Sequence, residues 1–246
     1  MCTIGASINN ELILFKNCDL TKKTVFYKPK IKKGKYKYLA MTRKGRNGCW
    51  AGINENGLGI VAADTYTKKE YKSNKKTTEN IFKGYEKTIS EYKNTKEALK
   101  FLKQYYKNKI KIIPDLFIIA DKSNMAVFEF TPPNKFGIKI KKKGFILRTN
   151  QFKILKDGKD KKQDPESYIR FDNALRFIKK GSLNQIKNLC CDHKNGPSKF
   201  SVCRHGKKGE YKTGASVIFV VNKDIKAYYV INNSPCKTKY KEVKLC

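Results

Sequence analysis

The stretch CWAGINENGLGIVAADTY, residues 49–66, constrains the fold more than any other segment. Two apolar runs flank Asn54-Glu55-Asn56-Gly57, and Gly57 is free to take the positive φ that a tight connection needs. The stretch reads as an antiparallel hairpin. Strand-like segments precede it at 3–8, 11–15, 24–28 and 36–41, short runs of apolar and β-favouring residues. Two helices follow. One opens at Thr78, with Ile81, Tyr85, Ile89 and Tyr92 on one side. The next is announced by Asn94 with Glu97 three residues on, a capping-box spacing. Its apolar stripe is Ala98, Leu99, Leu102 and Tyr105 or Tyr106. Strands are expected at 116–120, 125–130, 136–140 and 145–149, then helices at 164–178 and 183–189. The chain ends in strands at 215–221, 225–231 and 240–244.

The order is strands, helices, strands, helices, strands. A doubly wound parallel sheet needs strand and helix to alternate, so that architecture is excluded. The order suits an α+β fold, with two mainly antiparallel sheets face to face and helices outside. No internal repeat or dividing linker interrupts the chain, and one domain over residues 1–246 is expected. The Lys-rich stretch 67–76 reads as a mobile connection.

The formal charge of +34 first suggests a nucleic-acid binder. The positive residues, however, are 49 lysines and only 6 arginines. Proteins that read phosphates and bases favour the planar fork of Arg. The lysine runs at 32–33, 75–76, 141–143 and 161–162 fall at expected turns and strand edges, where they discourage sheet aggregation. A solvated lysine surface is the leading reading. The rival is a Lys-rich binding protein that uses the fold on nucleic acid or other polyanions without catalysis. It would tolerate Cys2→Ala, and its affinity would fall steeply with salt.

The eight cysteines form no CxxC pair, and His193 and His205 have no zinc-ligand spacing with them. Cys190, Cys191, His193 and Cys203 are too awkwardly spaced for a compact metal site. No basic stretch leads into an apolar run at the N-terminus, and no apolar run approaches the roughly 20 residues that span a bilayer. The expected setting is a reducing cytoplasm, with most thiols as small core residues and no membrane partner.

One cysteine stands apart. Cys2 follows the initiator methionine, and a small second residue usually allows Met1 to be clipped. Clipping would place a thiol and a free α-amine on one residue. A thiol attacks an amide carbonyl as a thiolate or with a base at hand. The α-amine, with a pKa of about 7.7–8.0, is such a base near neutral pH.

The motifs MCT, KNCD, GINENGLGI, RTN at 148–150 and SYIR fall in one order. Together they resemble the N-terminal-nucleophile hydrolases, on the acyl-coenzyme A:6-aminopenicillanic acid acyltransferase (peptidase C45) branch. Penicillin V acylase and bile salt hydrolase are cousins. CDHKNGPSKFSVCRH, TGASVIF and NSPCKTKY resemble that branch more than the bile salt hydrolases. The resemblance spans almost the whole chain.

It implies a four-layer αββα sandwich and an amidohydrolase or acyltransferase acting on linear amides or thioesters through a Cys2 thioester. Only Met1 removal would be needed to free the nucleophile. Asp19 would hold and polarise the Cys2 amine. Asn150 would offer a side-chain N–H to the oxyanion. Arg170, in an S-x-x-R pattern with Ser167, would anchor Asp19 or the substrate. Lys16 stands where relatives often carry Arg, and supplies charge without the fork. Asp64 falls where bile salt hydrolases carry an asparagine, and an ionised carboxylate cannot donate to an oxyanion. The chemistry requires no metal or organic cofactor. The expected partner is a small-molecule amide or thioester, with no specific nucleic acid, and relatives are often homo-oligomers. His193 reads as a structural hydrogen-bonder, neither histidine reads as a base, and Trp50 reads as core or pocket wall. Cys236, in the Ser234-Pro235-Cys236 turn, is a family mark with no derived chemistry.

Overall fold

The structure, a computed structural model, describes every residue except 23, 73, 111, 179, 180, 195 and 246. Cys246, expected with the other thiols, therefore lies outside the described residues. The first sheet is built from β1 (Cys2–Ile8), β2 (Leu12–Leu20), β10 (Gly144–Arg148), β11 (Lys212–Val221), β12 (Ile225–Ile231) and β13 (Lys241–Lys244). Its spatial order is β10-β1-β2-β11-β12-β13. The second sheet runs in chain order through β3 (Lys30–Lys33), β4 (Lys37–Met41), β5 (Ala51–Asn54), β6 (Gly59–Ala63), β7 (Asp115–Ala120), β8 (Met125–Thr131) and β9 (Lys135–Lys141). Every pairing is antiparallel.

Three cores define four layers. Ile4, Leu14, Ile53, Val61, Ile118 and Phe219 meet between the sheets. Helices α1 (Lys75–Glu91) and α2 (Thr95–Lys109) cover the second sheet through Ile81, Tyr85, Leu102 and Tyr106. Helices α3 (Pro165–Phe177) and α4 (Leu183–Cys190) cover the first through Ala174, Ile186 and Leu189. Both faces of β1 and β2 are covered: β1 is apolar but for Thr3 and Ser7, and β2 buries Lys16, Asn17 and Asp19 among its apolar residues. Each fully buried Ile, Leu or Phe contributes about 1.5–3 kcal/mol. That burial holds a segment that would otherwise fray, and Cys2, the first residue of β1, pairs with Cys18 of β2 while β10 joins the ladder only from Ile4.

The expected hairpin forms β5 and β6. Gly57 takes φ 82°, and Asn54 Oδ1 accepts the backbone N–H groups of Asn56 and Leu58, each at 3.1 Å. Asn94 caps α2 as its spacing implies, accepting from the Glu97 N–H at 3.0 Å. Two expectations shift. Residues 24–28 make only the isolated bridge of Phe26 with Arg43, and the strand forms instead at Lys30–Lys33, beyond Pro29. Helix α1 starts at Lys75, inside the stretch read as a connection, because Asn74 caps it by accepting from the Thr77 N–H at 2.8 Å. The edge strands β3 and β9 carry exposed lysines, which blunts both edges of the second sheet.

Candidate active site

Antiparallel pairing of β1 with β2 sets Cys2 opposite Cys18. Alternation along each strand sends Cys2, Cys18 and Lys16 to the face between the sheets. Asp19 and Thr3 point the other way, toward α3. Residue 2 therefore has its thiol on one side of the sheet and its backbone beside a polar cluster on the other.

Lys16 is 5% exposed; its Nζ donates to the Trp50 carbonyl at 3.3 Å and lies 5.0 Å from the Trp50 ring centre. Burial pushes the Cys2 thiol up. A hydrogen bond from Cys18 and the charges of Lys16 and the α-amine outweigh it and bring the thiol down to about 6. The Cys18 thiol moves the other way, because it spends its proton on Cys2 and is itself buried. In protein that retains Met1, Cys2 alkylation by iodoacetamide is expected to rise through about pH 6 and then hold level. An ordinary cysteine keeps gaining up to its pKa of about 8.5. A lowered pKa means the thiolate persists to lower pH, so Cys18→Ala should move the midpoint up, and Lys16→Met should move it up less. A midpoint that stays put in both variants would disprove the assignment of cause.

The second cluster is assembled from distant segments. Arg170, fully buried on α3, donates from Nη1 to the Cys2 carbonyl at 3.0 Å and to Thr3 Oγ1 at 3.1 Å. Its Nη2 donates to Asn150 Oδ1 at 2.7 Å and to Ser167 Oγ at 3.3 Å. The same Asn150 oxygen accepts from the Cys2 backbone N–H at 3.4 Å. Asn150 Nδ2 donates one N–H to the Asp64 carbonyl at 2.5 Å. Asp19 is also fully buried. Its Oδ1 accepts from Thr213 Oγ1 at 2.7 Å, and its Oδ2 lies 3.9 Å from Arg170 Nη1. Burial and the neighbouring Arg204 lower the Arg170 pKa to about 10, so it stays charged at neutral pH.

The loop that carries Asn150 is fixed from below. Buried Glu129 accepts the N–H groups of Lys153, Ile154 and Leu155 at 2.8–2.9 Å. Thr149 Oγ1 donates to the Ser167 carbonyl at 2.8 Å and ties the loop to α3.

Met1 extends the β1–β2 ladder. Its carbonyl accepts the Asp19 N–H at 2.8 Å, and its amine donates to the Asp19 carbonyl at 3.0 Å. The amine also lies 3.4 Å from Asp64 Oδ2, a side chain that is 77% exposed. The α-ammonium, Lys16 and Arg43 together hold the Asp64 pKa below the ordinary carboxylate value. The Met1 sulfur rests against the guanidinium groups of Arg170 and Arg204.

The other five sequence-expected residues thus lie around Cys2. Asp64 and Lys16 are on the thiol side, and Asp19 and Arg170 are on the other. Asn150 bridges the two through Asp64 and Arg170. Sequence reasoning missed Cys18, Thr213 and Arg204. Arg204 is fully buried, pairs with Glu166 and stacks 5.0 Å from the Tyr211 ring centre. Only its place in the SVCRH motif hinted at it.

A cavity of about 620 Å³ opens beside Lys16 and Asp64. Its walls include Ile81, Phe82 and Tyr85, and Arg43 and Arg46 also line it. A second hollow of about 360 Å³ is lined by Met1, Glu166, Arg204 and Tyr211. Tyr66 and Lys159 line both.

Two antiparallel sheets between helical layers are the architecture of the N-terminal-nucleophile hydrolases. Solved structures with this fold include penicillin V acylase from Agrobacterium tumefaciens (TM-score 0.57, 13% identity, covering 93% of this chain and 82% of that one). A mutant of conjugated bile acid hydrolase from Clostridium perfringens gives 0.55 at 13% identity, covering 99% and 92%. The N-acylethanolamine-hydrolyzing acid amidase ortholog of Caenorhabditis elegans gives 0.59 at 13%, covering 88% and 92%. At that identity the likeness establishes the fold. A comparison with curated protein sequences gives no match.

The family model described as acyl-coenzyme A:6-aminopenicillanic acid acyl-transferase matches residues 8–235. The chain belongs to that family, and its activity is of the amidohydrolase or acyltransferase kind. No helix among the described residues is long and apolar enough to cross a membrane.

Proposed function

We propose that Met1 is removed and that Cys2 then acts as an N-terminal nucleophile on the acyl group of a small linear amide or thioester. The carrying observation is that one residue has a thiol with a lowered pKa and a backbone nitrogen 3.4 Å from Asn150 Oδ1. Once Met1 is gone that nitrogen is an amine, and Asn150 Oδ1 orients it. The amine takes the thiol proton, and sulfur bonds to the acyl carbon. The carbonyl π electrons move to oxygen. Collapse of the tetrahedral adduct breaks the C–N bond, and the ammonium returns its proton to the leaving nitrogen. The product on the enzyme is a thioester. Water, or an acceptor amine deprotonated by the Cys2 amine, attacks it and expels the thiolate.

Arg170 is a positioning residue in this scheme. It holds the Cys2 carbonyl and Asn150 Oδ1 and balances buried Asp19. Lys16 and Cys18 stabilise the thiolate. The second N–H of Asn150 Nδ2 is the candidate oxyanion donor, with the Asp64 carbonyl occupying the first. The larger cavity, with apolar Ile81 and Phe82 and cationic Arg43 and Arg46, suits an acyl chain carrying a polar end. The hollow that Met1 lines would take the leaving amine.

In this scheme residues 1–246 act as one catalytic domain in a reducing, cytoplasmic setting, where Cys2 stays a free thiol. The test is amine release from a panel of N-acyl amides. Turnover is expected in native protein and should vanish in Cys2→Ala. Equal turnover in both proteins would sink the proposal.

A further inference from the structure

The segments CDHKNGPSKFSVCRH and NSPCKTKY contribute nothing to the chemistry at Cys2 beyond Arg204, yet they converge. His193, Cys203 and His205 lie in the loop between α4 and β11, and Cys236 lies in the turn after β12. One ligand atom from each stands within 4.8 Å of the others. The two sulfurs are 3.5 Å apart. His205 Nε2 is 3.6 Å from the Cys203 sulfur and 3.3 Å from the Cys236 sulfur. The His193 ring centre is 4.8 Å from that of His205, and its Nε2 is buried with no hydrogen-bond partner.

The three separations among Cys203, His205 and Cys236 match the edges of a particular polyhedron, with His193 beside its fourth corner. A tetrahedral zinc centre has Zn–S of about 2.3 Å and Zn–N of about 2.0–2.1 Å. Its S···S edge is then about 3.8 Å and its S···N edge about 3.6 Å. The three separations fall within about 0.3 Å of those edges. Two sulfurs and two imidazoles are also the donor set that zinc favours over magnesium or calcium. We propose that His193, Cys203, His205 and Cys236 form a closed, structural zinc site.

Binding one Zn²⁺ converts both thiols to thiolates and releases two protons to solvent, leaving a neutral centre with neutral imidazoles. With four protein ligands no coordination position is left for substrate, so the metal's work is architectural. It staples the loop after α4 to the turn after β12.

That loop leads to the catalytic cluster. Between Cys203 and His205 sits Arg204, whose backbone N–H donates to Thr213 Oγ1 at 2.8 Å. Thr213 Oγ1 in turn donates to Asp19 at 2.7 Å. The grouping of Cys190, Cys191, His193 and Cys203, which the sequence spacing argued against, is not the one that assembles: Cys190 is on the buried face of α4, hydrogen-bonded to Ser216 and Tyr240.

The test is elemental analysis of the full-length untagged protein after exposure to zinc and desalting. About one zinc per chain is expected, falling below about a tenth in the double variant Cys203→Ser/Cys236→Ser. Cobalt(II) added to reduced, metal-free native protein should give the visible bands of a tetrahedral site and a thiolate charge-transfer band in the near ultraviolet. If the variant does not fold, the native stoichiometry and cobalt spectrum decide alone. Native protein with less than about a tenth of a zinc per chain and no tetrahedral cobalt spectrum overturns the proposal. So does zinc retained at the native level by a folded double variant. A Cys203–Cys236 disulfide in metal-free protein that reduction cannot convert to a zinc binder overturns it equally.

Discussion

Protein whose chain begins at Cys2 is expected to turn over its amide substrate about 10²–10⁴ times faster than protein that keeps Met1. The factor is the worth of a positioned acid–base group: in protein that keeps Met1 the thiol is already largely ionised at neutral pH, but an amide nitrogen at residue 2 can neither give a proton to the leaving nitrogen nor take one from the attacking water or amine. Two further effects act in the same direction. Met1 covers the face where Asp19, Arg170 and Arg204 meet, and its removal leaves the Cys2 nitrogen with Asn150 Oδ1 as its given partner. Met1 also lines the hollow proposed for the leaving amine. Two fusions distinguish these forms, one cleaved to release Cys2 and the other to release Met1-Cys2. Both keep the thiol and the fold. Equal kcat/KM for the two products would remove the amine from the mechanism and leave Cys2 as an ordinary buried thiol.

The second large effect is on stability. Arg170→Met leaves fully buried Asp19 without its cation. Removing one member of a buried pair costs about 3–5 kcal/mol. Relief of the Arg170–Arg204 repulsion offsets part of that, so a loss near the low end, about 3 kcal/mol, is expected. In a chain of this size that lowers Tm by roughly 6–12 °C. Asp19→Asn in the same protein should restore much of the stability, since the orphaned charge is gone. It should not restore activity, because Asn150 Oδ1 and the Cys2 carbonyl still lack their donor. A double variant as unstable as the single one would show that Arg170 stabilises by packing and not by pairing with Asp19.

Much of the fold was legible because its signals are local. Asn54 and Gly57 make the hairpin from their own backbone preferences, and Asn94 caps α2 through a three-residue contact. The strand at Lys30–Lys33 was not legible, since KIKK on an exposed edge has little apolar content to declare it. Residues 24–28 have strand-like composition, but they form one bridge only, and composition cannot show whether a partner is in register.

The candidate site was legible only through the order of motifs. Cys2, Asn150 and Arg170 lie up to 168 residues apart, and nothing in their spacing brings them together. Cys18 as the thiolate's partner needs the register of β1 on β2. Arg204 and the cluster of His193, Cys203, His205 and Cys236 need two loops to meet. The sequence spacing argues against a metal site because it sets Cys190 and Cys191 in place of His205 and Cys236, and Cys190 lies on α4 with its side chain turned to the first sheet.

The most direct measurement is the intact mass of natively produced protein before and after one equivalent of a thiol-reactive acyl probe, followed by peptide mapping. The expected result is a chain that lacks Met1 and carries the acyl group on Cys2 in preference to its seven other cysteines. Retained Met1, or label spread over the cysteines with no preference for Cys2, would contradict an N-terminal nucleophile.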